Sequence, residues 1–365
     1  MAFPGRQFGS KSIRRVAIDI GRQASRLGFF FLLLLTALAA PVPGQAGDDG
    51  AARLARALAA MEADYGKSSP ALLPALGELA EARRRGGDLA EAAALRRRGL
   101  GIALAAFGGE SPRTAQAMAE LALVHIDRRR YLDAEPLLVV AARVLAERAP
   151  DDPVGAAVFA GLARVAVARG ETGGAVAWAA RGVEIARRHP RHRSAEPLRA
   201  LGAALGAGQR FAEAERVLHE ALALDRKHHG ADGAETARSL SQLANLYLRR
   251  DRARDALPLL QQAAAIDQMR LGPAHPFIAD DLHDLGLAYA ALNRPEQARR
   301  AFVAAIAVLE RGAGRETPRV AYAELELSRL YRRLGDAAAA EAAFRDARRI
   351  LNKAEAEERR RERRA

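Results

Sequence analysis

Five prolines recur along this 365-residue chain at a near-constant interval. Pro70, Pro112, Pro153, Pro276 and Pro318 lie 42, 41, 123 and 42 residues apart, and 123 is three periods of 41. They follow Ser69, Ser111, Asp152, His275 and Thr317. Ser, Asp and Thr accept hydrogen bonds from the free N–H groups of a first helical turn, and Pro suits that turn because it has no N–H to satisfy. Each pair therefore marks a helix start. A period of 20–50 residues is the signature of a repeat architecture.

Four further columns keep the same register. A Leu stands nine residues after each of these prolines and in the two copies without one: Leu79, Leu121, Leu162, Leu201, Leu243, Leu285 and Leu327. A small residue follows each: Ala80, Ala122, Ala163, Gly202, Ala244, Gly286 and Ser328. Twelve residues on stands Ala92, Ala134, Ala175, Ala214, Ala256, Ala298 or Ala340, and seven beyond that Gly99, Ala141, Gly182, Ala221, Ala263, Ala305 or Ala347. Gly, Asn, Asp or basic residues break the copies in the middle, as in Arg85-Gly86-Gly87-Asp88 and Leu334-Gly335-Asp336. Each unit reads as two antiparallel helices, with Leu between them and small residues where the backbones approach. Half the residues are hydrophobic but only 5% are aromatic, so Ala, Leu and Val supply the packing, and Ala and Leu favour helix.

The pattern resembles the tetratricopeptide repeat, in the roughly 42-residue variety of kinesin light chains and many bacterial proteins. Leu271-Gly272-Pro273-Ala274-His275-Pro276, Leu285-Gly286-Leu287-Ala288-Tyr289 and Gln297-Ala298 carry the resemblance best, and Tyr247, Tyr289 and Tyr331 hold the aromatic position of the first helix. The resemblance covers about 70–351. It implies an all-α, right-handed α-solenoid of about seven helix-turn-helix repeats: 70–111, 112–152, 153–193, 194–234, 235–275, 276–317 and 318–351. Residues 47–69 are expected to hold an N-terminal capping helix, with Leu54, Leu58, Met61 and Tyr65 on one face, and 352–365 a charged tail that extends the last helix and frays. Gly170, Gly173 and Gly174, with a spacing that shrinks to 39, predict a flexible or irregular joint around 170–210, including the loop 187–193.

The first 46 residues read as a targeting segment. Phe3 to Arg26 hold six basic residues and one acid, and Gly28–Ala40 follow with no charge. Thirteen apolar residues span about 20 Å as a helix, short of a bilayer core of about 30 Å. Basic segment, short apolar run and small-residue exit describe a secretory signal, with cleavage after Ala46 and export to the periplasm or medium. The alternatives are an uncleaved anchor over 27–42 and a misassigned start. Arg14-Arg15 lies too far from the apolar run to read as a twin-arginine signal.

No catalytic motif stands out. There is no GxxxxGK[ST] loop and no HExxH, and the chain has no Cys, which excludes disulfides, thiolate metal sites and Cys nucleophiles. His228-His229 and the pair His189, His192 read as solvated loop residues between helices, His275 as a cap, and His125 and Trp178 as packing. No Ser has a base and an orienting acid nearby. No cofactor, metal or small-molecule substrate is called for, and a non-enzymatic role follows.

The net charge of +13 is spread along the array, and a basic surface attracts acidic partners. In a solenoid of helix pairs, the first helices line the concave wall. Projected by helical period, that wall holds Arg84, Arg85, Arg164, Arg199, Arg238, Asn245, Arg249, His283, Arg329, Arg332 and Arg333, with Glu81, Asp127, Glu196 and Asp280 as its acids. The expectation is an electropositive groove that takes an extended or acidic protein segment, Arg forks meeting carboxylates and peptide carbonyls. By the resemblance, Asn245 would hold a peptide backbone. The alternative is electrostatic binding of nucleic acid or an anionic membrane surface, against which the lack of base-stacking aromatics counts.

Overall fold

The computed structural model describes residues 45–189, 194–273 and 275–362, within one compact unit spanning Gly44–Ala365. Of the expected targeting segment, residues 1–44 lie outside the described residues. Fifteen α-helices follow one another among those described. Helix α1 (Gln45–Tyr65) is single. Seven helix pairs follow: α2 (Leu73–Arg85) with α3 (Leu89–Phe107), α4 (Pro112–Asp127) with α5 (Tyr131–Arg148), α6 (Val154–Ala168) with α7 (Thr172–Arg188), α8 (Glu196–Ala207) with α9 (Phe211–His229), α10 (Ala234–Leu248) with α11 (Ala253–Leu271), α12 (Pro276–Ala291) with α13 (Pro295–Ala313), and α14 (Pro318–Arg333) with α15 (Ala337–Glu362). Each helix packs on its neighbours in sequence and, among the first helices from α4 onward, also on the next one.

The Ser–Pro pairs work as caps. The Ser69 and Ser111 hydroxyls each accept from the backbone N–H two residues on, at 3.3 Å, and the Asp152 carboxylate does so at 2.9 Å. At Pro70 the chain first makes a 3₁₀ turn, Pro70–Leu72, so α2 begins three residues later. Thr317 makes no capping bond, and its Oγ1 is buried without a partner.

The four columns are the core. Six of the seven Leu residues are buried, Leu201 half so, and the Ala column from Ala92 to Ala340 is buried in every copy. The small residue after the Leu is matched to the second helix. A methyl group at Gly286 would lie 2.4 Å from Phe302, and one at Gly202 would lie 2.5 Å from Leu218. In the fifth repeat, Ala244 stands in this column and the smaller Leu260 holds the position of Phe302, sixteen residues on, both fully buried.

One column escapes the sequence pattern. Each turn inside a repeat has one residue at positive φ, always eight after the Leu: Gly87, Arg129, Gly170, Gln209, Asp251, Asn293 and Gly335. This left-handed conformation closes the first helix and starts the second, and it costs a non-glycine residue about 1 kcal/mol or more. Four copies carry that cost.

The capping helix differs from its expected face. Ala51 and Leu58 are buried and Leu54 and Met61 half-buried against α2, but Tyr65 is 62% exposed. It is the last residue of the helix. Around the third and fourth repeats the helices are regular, with α7 ending at Arg188 and α8 beginning at Glu196; 190–193 lie outside the described residues. The core there divides into small, alanine-dominated clusters, Ala160, Ala163, Ala179 and Ala200 in one and Ala166, Ala175 and Ala204 in another. At the C-terminus α15 continues to Glu362. No described helix is long and apolar enough to cross a membrane.

Candidate functional site on the inner wall

The inner arginines of repeats one to five are tied into a chain of alternating charge. Arg84 on α2 holds Glu81 at 2.8 Å and reaches Asp127 on α4 at 3.0 Å. Arg164 on α6 takes the other side of Asp127 at 3.6 Å and meets Glu196 on α8 at 3.1 Å. Arg199 is 4% exposed and bonds Glu196 at 2.7 Å, Glu235 on α10 at 2.7 Å and Asp225 on α9 at 2.6 Å. Arg238 completes the run on Glu235 at 3.0 Å. Glu81-Arg84-Asp127-Arg164-Glu196-Arg199-Glu235-Arg238 thus crosses five repeats without a break. Two arginine neighbours hold the Glu196 carboxyl down at about 2 against the pull of burial. The positive excess expected along this face is neutralised here. Residues one helical turn apart meet, and so do residues one repeat apart.

The remaining projected residues separate into two groups. Arg85 is exposed and shares Glu81 at 3.0 Å. Asn245 donates to Asp284 at 2.8 Å. His283 leans on the Phe302 ring with centroids 5.5 Å apart, and burial lowers its pKa. Arg329 pairs with Glu326 on its own helix. Arg249, Arg332 and Arg333 are exposed and have no carboxylate partner among the described residues; Arg332 covers Phe344, and Arg333 donates to the Ala290 carbonyl at 3.3 Å.

Sequence projection missed the acids on this face. Asp267 from α11 and Asp281 and Asp284 from α12 stand together, with only Ser241 and Asn245 as neutral donors. Burial is the leading cause that pushes Asp267 up to about 6, Asp284 up to about 7 and Asp281 well above the carboxylate range; Asp281 also feels the Asp267, Asp284 and Asp280 charges. Asp280 turns the other way, to Arg319 at 2.5 Å and Arg129 at 3.4 Å. The signal was Asp280-Asp281 with Asp284 three further on, one stripe of α12. Asp267 belongs to a second helix and was out of reach.

The histidines need two amendments. His228 and His229 lie in the last turn of α9, and His189 closes α7, so these are helix ends and not loop residues; His192 is outside the described residues. His275 is a cap, as its position before Pro276 suggests. Its Nδ1 accepts from the Phe277 N–H at 3.2 Å, while Nε2 meets the Arg84 carbonyl at 3.4 Å, across 191 residues of sequence. Burial lowers its pKa to about 4. His125 is 4% exposed, and Trp178 stacks on Phe159 with centroids 5.6 Å apart. Among the described residues, no three His, Asp or Glu are placed to hold a metal ion.

Paired α-helices in a repeating stack, with first helices lining one wall, define a tetratricopeptide-type solenoid. The sequence profile of the tetratricopeptide repeat matches residues 193–269 and 256–311. Residues 193–311 thus carry tetratricopeptide repeats. No curated protein matches it. Among solved structures it is similar to a Rap protein complexed with Competence and Sporulation Factor, at 13% identity and a TM-score of 0.52, over 85% of this chain and 99% of that one. BtubC from P. vanneervenii is 16% identical with a TM-score of 0.41, over 75% and 92% of the two chains. MamA from Desulfovibrio magneticus RS-1 is 21% identical with a TM-score of 0.38, over 55% and 96%. At these identities the likeness is one of fold.

Proposed function

We propose that this protein is a non-catalytic scaffold that holds an extended, acidic segment of another protein against the inner face of its first helices. One observation carries the reading. Arg84, Arg85, Arg164, Arg199 and Arg238 are all matched by carboxylates, whereas Arg249, Arg332 and Arg333 are exposed with no carboxylate among the described residues. The wall's unmatched cations therefore gather in the last three repeats, and guanidinium forks suit carboxylates. The Rap structure offers a parallel for a repeat array of this fold in complex with a factor. We further propose that the chain is exported, on the strength of its first 46 residues, with the 27–42 anchor as the competing form.

The test is capture from an envelope extract, read by mass spectrometry, with Arg249→Glu, Arg332→Glu and Arg333→Glu combined in one variant. These side chains are exposed, so the fold should stand, as circular dichroism will check. A partner retained equally by the variant would move the site elsewhere. Capture of nucleic acid or anionic vesicles, with affinity falling steeply as salt rises, would favour the electrostatic alternative. Cell fractionation with N-terminal sequencing decides between cleaved and anchored forms.

A further inference from the structure

The solenoid touches itself. Nearly all its helix contacts join elements adjacent or next but one, yet the turn between α2 and α3 reaches the start of α12. A methyl group at Gly87 would lie 2.8 Å from Pro276, and His275 meets the Arg84 carbonyl. A second tie, Arg129 to Asp280 at 3.4 Å, joins the α4–α5 turn to the same helix. Repeats one and two are thereby held across the inner space against the start of repeat six.

Behind this crossing lies a cavity of about 410 Å³. Its walls come from both sides: Arg85 from α2 in the first repeat, Arg238 from α10 and Arg270 from α11 in the fifth. Each of these guanidinium groups makes contacts that leave donors over. Arg85 uses its Nε on Glu81, Arg238 one terminal nitrogen on Glu235, and Arg270 its Nε on the Asp232 carbonyl. Of the acids facing the same space, Glu81 is matched by both Arg84 and Arg85, and Glu235 by both Arg199 and Arg238. The third, Asp267, feels the Arg238 charge and sits beside Asp281. Phe277 and Leu271 give one apolar side. The space is half open to solvent and has room for one acidic side chain or a small oxyanion.

We propose that this cavity receives a carboxylate or phosphate group, and that filling it ties repeat one to repeats four to six. Donors from opposite sides of the crossing line the same space, so an anion bound by both sides stabilises the closed form and the closed form builds the site; the two effects are thermodynamically reciprocal. The inference rests on the inner face being where partners seat, and adds a second contact point whose lining does not include Arg249, Arg332 or Arg333.

The experiment uses the full chain with two probes, inorganic phosphate and the dipeptide acetyl-Glu-Glu-amide, with acetyl-Gln-Gln-amide as control, by titration calorimetry. Because the chain has no Cys, Ala90→Cys and Met269→Cys place spin labels on the two sides of the crossing. The expected result is saturable one-to-one binding of at least one acidic probe and a narrower label distance. Arg85→Ala with Arg270→Ala, both exposed positions, should weaken it at least tenfold, while Arg254→Ala, exposed but outside the cavity, leaves it unchanged. Phosphate alone binding points to a free anion, and the dipeptide alone to an acidic side chain of a partner; either supports the site. No saturation by either probe, equal binding by the double variant, or an equal loss in Arg254→Ala overturns it. Loss of partner capture in the Arg249, Arg332 and Arg333 variant with the cavity still binding would leave this site standing and limit it to small anions.

Discussion

Gly286 is the place where the repeat's geometry can be tested most sharply. It holds the small-residue column on α12, and the Phe302 ring of α13 fills the space its missing side chain leaves. An added methyl group would meet three ring atoms at 2.4, 2.6 and 2.8 Å, where carbon–carbon contacts are comfortable at about 3.5–4.0 Å. The ring has little room to retreat, because it is 1% exposed and His283 lies 5.5 Å away. Overpacking of this kind costs about 1–3 kcal/mol, while replacing a mid-helix Gly by Ala returns about 0.5–1 kcal/mol. Gly286→Ala should therefore destabilise by about 1–2 kcal/mol, although helix propensity alone argues the reverse. Phe302→Leu in the same chain copies the Ala244–Leu260 pair of the fifth repeat. The double variant should be at least as stable as Phe302→Leu alone, with a favourable coupling of about 1–2 kcal/mol. Urea unfolding followed by circular dichroism gives the four corners of the cycle, and amide exchange in α12 and α13 localises the effect, since repeat arrays need not unfold in two states. A Gly286→Ala protein as stable as its parent, or strictly additive changes, would refute the matching of these two helices.

Gln209→Gly, at the left-handed turn of the fourth repeat, should raise the unfolding midpoint by the equivalent of about 1 kcal/mol; a loss would show that the Gln side chain matters more than its φ of 61°. Arg199→Ala should cost about 3–5 kcal/mol in the same urea assay, since it strands Asp225, which is 1% exposed. Asp284 has a folded pKa raised from 3.8 to about 7, so the folded state binds the extra proton, and stability falls as pH rises through that window. Asp284→Asn should thus be more stable than its parent at pH 8, by at least tenfold in the folding constant, with the gap closing below pH 4. A gap independent of pH would remove Asp284 as its source. Amides of 170–189 and 194–210 should exchange faster than those of repeats five and six, given the alanine-dominated packing there.

Most of the fold was legible because each repeat is a local object. Leu243 and Ala256 lie thirteen residues apart, both buried, on two helices that pack together across one turn, so a short spacing records the packing. Helix starts were readable at Ser69, Ser111 and Asp152 for the same reason. The site was only partly legible. Helical period placed Arg84, Arg164, Arg199 and Arg238 on one face together with Glu81, Asp127 and Glu196, but it cannot say that Arg84, Arg164 and Arg199 each lie within 4 Å of an acid from a neighbouring repeat. A count of nine bases against four acids omitted Glu235, Asp225, Asp267, Asp281 and Asp284.

Sequence alone determined the unit, its number and the small-residue columns, because these depend on residues within one period. The tertiary structure decided everything that depends on superhelical curvature. That curvature brings Arg84 to His275 across 191 residues and closes a cavity between repeat one and repeats four to six. It also turns a row of arginines into a neutralised ladder. Small rotations between successive repeats add up over five of them, and no local spacing in the chain encodes their sum.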